Sequence, residues 1–380
     1  MLKKRILVSY HLALLKKRIL VSALVIMLFN SVYQYSWNVF AMYLAKYYGL
    51  SVMITEVMFF IFVFMSTFLQ ILGGYISDIK GPRSIGLIAA VFSAAGYIAF
   101  MKDINLLFRF LLWAGGSAGE GILYGIATNS ALKWHKDNRG LAVGIVSLGF
   151  GAGATIFNPL FLGIHSLQEI SVIMFFLEII ILPLLVMNLS YPEKLSGKRP
   201  REAVFTLPFL LIYLSYSLGT VPLISLSSSL FILRSGYSLL IAIITFPLMS
   251  GLGRPFMGRF SDTIGRVKTI FISLSILILA GILGAFNVPL LPEILIGFLG
   301  GSLIPLFFAL VGDYMGEAYS ASLTSILYTG KSIGGVIGSI GIGYVSEKSV
   351  FYGWSLMVLS SVLSLFFLFI LYNLNSKEKA

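Results

Sequence analysis

Residues Gly73–Ser84 read GGYISDIKGPRS, and residues Gly258–Lys268 read GRFSDTIGRVK. Set with Asp78 on Asp262, the two stretches are offset by 184 positions, close to half of the 380-residue chain. Both share a Gly–Asp–Gly–basic pattern at similar spacing: Gly74, Asp78, Gly81 and Arg83, then Gly258, Asp262, Gly265 and Arg266. Each also follows a long apolar run. A polar loop repeated behind an apolar run at half-chain distance predicts two related halves.

The composition around these loops sets the class. The chain is 58% hydrophobic and 11% charged, where soluble domains carry about 25% charged residues. One soluble core could not hide that much apolar surface, so a soluble enzyme, a nucleic-acid binder and a secreted domain are excluded. Roughly 20 apolar residues cross a bilayer as a helix. Apolar runs bounded by charge or by Gly, Pro and Asn clusters predict spans at 19–44, 53–76, 84–101, 106–132, 140–163, 169–190, 204–227, 237–260, 267–287, 290–312, 320–344 and 350–372. The expected fold is all-α and integral to the membrane, with twelve transmembrane helices in two pseudo-symmetric six-helix halves. The runs are continuous rather than alternating, which excludes a β-barrel. Repeated halves are how many secondary transporters are built.

The net charge of +12 is a topology signal once the charges are located. With both termini on one face, 20 of the 27 Lys and Arg fall on that side and five on the other. Arg254 and Lys331 are left inside spans. The bias places the termini in the cytoplasm of a plasma-membrane protein. The polar, basic stretch 191–203 reads as a cytoplasmic linker between halves 19–190 and 204–372, with a basic N-terminus at 1–18 and a tail at 373–380. LKKRILVS occurs twice, at Leu2–Ser9 and Leu15–Ser22, a duplication that lacks the features of a signal peptide. Cys is absent and His occurs three times, all outside the predicted spans, so no metal site, cofactor or catalytic residue is expected.

The two loops resemble the signature loop of the major facilitator superfamily. Within it, the chain is most similar to the oxalate:formate antiporter family, with the monocarboxylate transporters as cousins. The resemblance is carried by Tyr33–Phe40 (YQYSWNVF), Gly81–Arg83 (GPR), Lys133–Gly153 (KWHKDNRGLAVGIVSLGFGAG), Gly253–Gly258 (GRPFMG) and Tyr328–Gly335 (YTGKSIGG). It implies gating roles for Gly74, Asp78, Gly81, Arg83, Gly258, Asp262, Gly265 and Arg266, whose cytoplasmic contacts would hold the halves in one access state. Phe150 stands where relatives often have Tyr.

Four ionisable residues lie well inside spans: Glu120, Glu178, Arg254 and Lys331. Each is costly at a helix centre, about 2.5–3.5 kcal/mol for Arg, Lys or Asp on insertion scales, so each implies an interior place and a partner. The resemblance puts Arg254 and Lys331 beside a central cavity, where two cations make an anion site. Arg offers a planar fork matching a carboxylate, and Lys a compact charge. The structural alternative pairs either cation with Glu120 or Glu178. Gln34, Tyr35, Tyr124 and Tyr328 resemble substrate-lining positions, and Tyr328 shares a helix face with Lys331. Glu120 is the candidate for proton coupling or for a resting partner of the cations. Glu178 reads as structural or snorkelling, and Glu56 as the solvated opening of a span near the outer surface, with contact to the pathway as the alternative.

The expected function is alternating-access transport of small organic anions, mono- or dicarboxylates such as oxalate, formate or lactate, by a monomer in the lipid bilayer, with protons as an optional coupling ion. No nucleic-acid partner is expected. The alternatives are a proton-coupled carrier of a neutral solute or drug and a non-transporting membrane sensor.

Overall fold

The structure is a computed structural model and describes residues 2–135, 139–191, 203–315 and 320–378. Its regular elements are all helical. α1 (Leu2–Tyr35) and α2 (Trp37–Tyr48) form one rod broken at Ser36, followed by α3 (Val52–Lys80), α4 (Pro82–Gly96) with a closing 3₁₀ turn, α5 (Leu106–Trp134), α6 (Arg139–Gly163) and α7 (Leu167–Met187). After residue 203 come α8 (Leu207–Gly219) and α9 (Val221–Leu233), α10 (Gly236–Ile264), α11 (Arg266–Ala285), α12 (Leu291–Leu295) and α13 (Gly301–Met315). The chain closes with α14 (Ser320–Tyr328), α15 (Gly330–Gly335), α16 (Ile342–Ser346) and α17 (Val350–Glu378).

In hydrocarbon every backbone group must bond within the protein, so continuous helices are the economical solution. Polar side chains cap them where they begin. Ser51 Oγ accepts from the Ile54 N–H at 3.3 Å, and Asn105 Oδ1 from the Phe108 N–H at 2.9 Å, satisfying donors that a helix start leaves open. Interruptions have local causes. Thr220 and Pro222 separate α8 from α9, and π-helical turns at Ile296–Gly300 and Val336–Gly341 widen two later rods.

Nine stretches among the described residues are long and apolar enough to cross a bilayer, which establishes a multi-spanning all-helical fold. The expected span 204–227 runs on to Leu233, because apolar residues and serines continue up to Arg234. The cytoplasmic N-terminus expected at 1–18 is continuous with α1, and α17 carries the 373–380 tail as helix to Glu378. Most of the expected linker 191–203 lies outside the described residues.

The repeated loops fold alike. Gly81 joins α3 to α4 at φ 81°, and Gly265 joins α10 to α11 at φ 95°, a backbone region that disfavours side chains. Ser77 Oγ donates to the Gly74 carbonyl at 2.8 Å, and Ser261 Oγ to the Gly258 carbonyl at 2.6 Å. The same hydrogen bond recurs 184 positions later.

Helices before residue 191 pack mainly on one another (α3 and α4 on α5, α1 on α6, α4 on α7), and so do those after 203 (α10 on α13, α11 and α8 on α17). The two sets meet where α2 faces α9, α3 faces α15 and the Val336–Gly341 turn, and α6 faces α10. Apolar surface points outward: Leu184 on α7 is 66% exposed while Glu178 on the same helix is wholly buried. That is the polarity expected when the bilayer is the solvent.

Candidate functional site

Arg254 on α10 and Lys331 on α15 are both buried, with 4% and 1% exposure. Gly253 lets α10 lie directly against the backbone of Phe298, where any Cβ would clash, and this contact fixes the depth of Arg254. Lys331 Nζ donates to Gln34 Oε1 at 2.6 Å and to Tyr328 Oη at 3.2 Å. Gln34 is in turn held by Ser227 Oγ at 3.4 Å. The ammonium lies 5.2 Å from the centre of the Tyr328 ring.

Aromatic rings connect the two cations. The Arg254 guanidinium is 5.5 Å from the Phe150 ring centre. Phe150 meets Tyr124 edge-on at 5.3 Å and Tyr35 at 5.5 Å, and Tyr124 stacks on Tyr328 at 5.7 Å. Tyr35 Oη lies 2.7 Å from Ser250 Oγ. Helices from both sets thus supply one cluster of rings with a cation on either side. Arg254 Nε and Nη2 find no acceptor among the described residues. The Tyr35 and Tyr124 hydroxyls stand beside the guanidinium, but buried donors without partners are rare and costly, and a guanidinium with two such nitrogens is suited to a planar anion. Glu120, 2% exposed on α5, and Arg254 are the charged groups that act on Lys331. Among the described residues no group of three or more His, Cys, Asp or Glu could hold a metal ion.

All six substrate residues expected from the sequence (Gln34, Tyr35, Tyr124, Tyr328, Arg254 and Lys331) are therefore in one cluster, with Glu120 at its margin. One expectation is narrowed and one corrected. Of the structural and snorkelling readings of Glu178, the snorkelling one is excluded: the residue is fully buried, and its Oε2 accepts from Ser93 Oγ at 2.7 Å. Glu56 is not solvated: it has no exposure, because α16 and the π-helical turn before it cover the start of α3. Polar residues that the sequence reading passed over also join the two helix sets. Asn38 Nδ2 donates to the carbonyls of Leu226 and Ser227 at 2.8 and 2.9 Å, and Asn158 Nδ2 to that of Ile243 at 2.7 Å. An amide inside an apolar run carries the same signal as a charge, in weaker form, and could have found both.

In the repeated loops, the Asp78 side chain lies outside the described residues. Arg83 Nε donates to the Leu189 carbonyl at 3.1 Å, tying the first loop to the end of α7. Arg266 pairs with Asp262 at 2.7 Å and reaches Asp313 of α13 at 3.7 Å. Gly74 and Gly258 accept the serine bonds described above, and Gly81 and Gly265 provide the turns.

A helical membrane bundle with buried cations and rings gathered between two helix sets is the architecture of a solute carrier. The chain belongs to the Major Facilitator Superfamily, whose sequence model matches residues 19–339 and again 203–379. It is 40% identical over 321 residues to an "Uncharacterized 38 kDa protein in 23S RNA operon" of Thermoproteus tenax, covering 84% of this chain and 86% of that one. It is 28% identical over 378 residues to the "Oxalate:formate antiporter" of Oxalobacter formigenes, covering 92% and 89%. The crystal structure of a point mutant of the nucleoside transporter NupG superposes with a TM-score of 0.72 at 15% identity, covering 94% of this chain and all of that one. The protein is a multi-pass, secondary-active membrane transporter of a small solute, and not an enzyme.

Proposed function

We propose that the solute is a small organic anion, a mono- or dicarboxylate of the size of oxalate, formate or lactate, carried by alternating access between two six-helix halves with twelve spans in all. The observation that carries this reading is the pair of buried cations on either side of one aromatic cluster, with two guanidinium nitrogens of Arg254 left without an acceptor among the described residues. The full-length similarity to an oxalate:formate antiporter supports it, as does the second match of the family at 203–379 for the repeated halves. The positive-inside bias supports cytoplasmic termini in the plasma membrane, and the enclosed site within one chain supports a monomer. The non-transporting sensor is set aside, because the family is one of carriers.

A second reading has its own support. Glu120 acts electrostatically on Lys331, and an ionised Glu120 would offset one cation and leave a site suited to a neutral solute moving with a proton. The shared fold of a nucleoside transporter is compatible with that cargo. Uptake by reconstituted protein, using labelled oxalate, formate, lactate, pyruvate and uridine with and without a proton gradient, separates the two. Saturable carboxylate uptake supports the anion reading. Uridine uptake driven by the gradient, with no carboxylate uptake, would replace it with the second.

A further inference from the structure

Glu56 takes no part in the central site, yet it is a buried carboxyl that joins the two helix sets. It lies in the first turns of α3, near the end of the bundle where α2 finishes; we call this the distal end. Its Oε2 and its main-chain oxygen both accept from Ser339 Oγ, each at 2.7 Å. Ser339 sits in the π-helical turn Val336–Gly341, between Gly338 and Ile340. The hydroxyls of Ser228 and Ser229 on α9 stand beside the same carboxyl and lie 2.8 Å from each other. Gly343 on α16 closes the last side: a Cβ there would come within 2.8 Å of Glu56 Cγ. Oε1 has no hydrogen-bond partner among the described residues.

The surroundings are polar but uncharged. From α9 come two serines, from the π-helical turn Ser339, and from α16 a glycine whose neighbour Tyr344 points outward, 56% exposed. These three hydroxyls are the groups that act on Glu56, and none carries a charge. An ionised carboxylate walled in this way would lose its water and gain no counter-charge. A neutral carboxyl avoids that cost, and its O–H can turn toward a serine oxygen. Separation of α3 from α9 and α16 would return water to the group and remove the obstacle to ionisation.

We propose that Glu56, with Ser228, Ser229 and Ser339, is a proton-binding site separate from the central one, and that the bound proton holds the two helix sets together at the distal end. A ligand that binds one conformation better than another shifts the population toward it. Here the proton favours the closed distal end and leaves when that end opens. The proposal rests on the two-half reading but not on the nature of the solute.

The test uses the full chain in lipid nanodiscs without substrate, so a wrong substrate class would not affect it. The chain has no Cys, and the exposed Lys46 and Lys348 lie on opposite sets at the distal end, so Lys46→Cys and Lys348→Cys carry nitroxides for distance measurement between about pH 5 and 9. A short-distance population at low pH should fall at least about threefold as pH rises. Glu56→Gln, an uncharged isostere, should keep the short distance across the range. Ser339→Ala, which removes a donor to the ionised carboxyl but leaves the carboxyl itself, should move the transition to higher pH, and it decides the matter if Glu56→Gln does not fold. A pH response in Glu56→Gln equal to that of the parent, a parent indifferent to pH, an unmoved transition in Ser339→Ala, or a distance that follows sodium at fixed pH would each overturn the proposal.

Discussion

Arg254 sets the strictest demand on any single side chain here. Its guanidinium is buried against Phe150 and leaves Nε and Nη2 without acceptors among the described residues, an arrangement that is costly until an anion fills it. Losing one member of a buried charge pair costs about 2–5 kcal/mol, so Arg254→Gln should lower carboxylate uptake at least ~30-fold while the protein still inserts. Arg254→Lys keeps the charge but not the fork, and should recover only part of that loss. Near-parental uptake by inserted Arg254→Gln protein would remove Arg254 from the site. This residue was legible in the sequence because a charge inside an apolar run is expensive and needs a reason. Phe150 and Ser250 were not marked in that way. A Phe or a Ser inside a span has no such cost, and only the packing shows that one touches the guanidinium and the other holds Tyr35.

At the scale of helices, the close approach of α6 to α10 is what brings residues from both sets to one space. Gly151 and Gly251 lie backbone to backbone, and a Cβ on Gly151 would clash with Gly251. Small residues at such crossings let membrane helices pack tightly. Gly151→Val should cost about 1–3 kcal/mol as overpacking, seen as a lower Tm in detergent, and should cut uptake at least tenfold by moving Phe150 away from Arg254. A variant with parental Tm and parental uptake would mean that the crossing has room to spare. Helix positions were legible because the bilayer enforces continuous apolar runs with polar caps, and the recurrence of Gly and Asp behind α3 and α10 announced the repeat. The breaks at Ser36 and Thr220 and the turns at Ile296–Gly300 and Val336–Gly341 were not. The π-helical turns and the break at Ser36 arise from backbone hydrogen-bond shifts that no apolar pattern records, and the break at Thr220 lies inside a continuous apolar run although Pro222 marks it. Glu56 was misplaced for a related reason: its place at the start of a run suggested water, and the cover comes from α16, in the other half of the chain.

For the whole molecule, the question is how charge in the two halves combines at the centre and which cargo that sum admits. Asp262 is mostly exposed where it pairs with the half-buried Arg266, and such a pair is worth at most about 1 kcal/mol, so Asp262→Asn should leave Tm nearly unchanged; Asp78→Asn is the matching change in the first loop. Each should nevertheless shift the access equilibrium, read as opposite changes in labelling of single Cys probes on the two faces; unchanged labelling on both faces would exclude the loops from gating. At the centre, Arg254 and Lys331 carry two positive charges from the second helix set, and Glu120 is contributed by the first. If Glu120 is ionised in the loaded state, the sum approaches one and fits a monocarboxylate. If it is neutral, the sum stays at two and fits a dicarboxylate such as oxalate. Lys331 already hydrogen-bonds Gln34 and Tyr328, so it is held without a direct carboxylate bond, which favours the second case. Lys331→Ala should then weaken oxalate binding at least tenfold more than formate binding, and Glu120→Gln should spare oxalate exchange. Equal losses for both anions in Lys331→Ala, together with dead exchange in Glu120→Gln, would place Glu120 in an ion pair with Lys331 and make the protein a proton-coupled carrier instead.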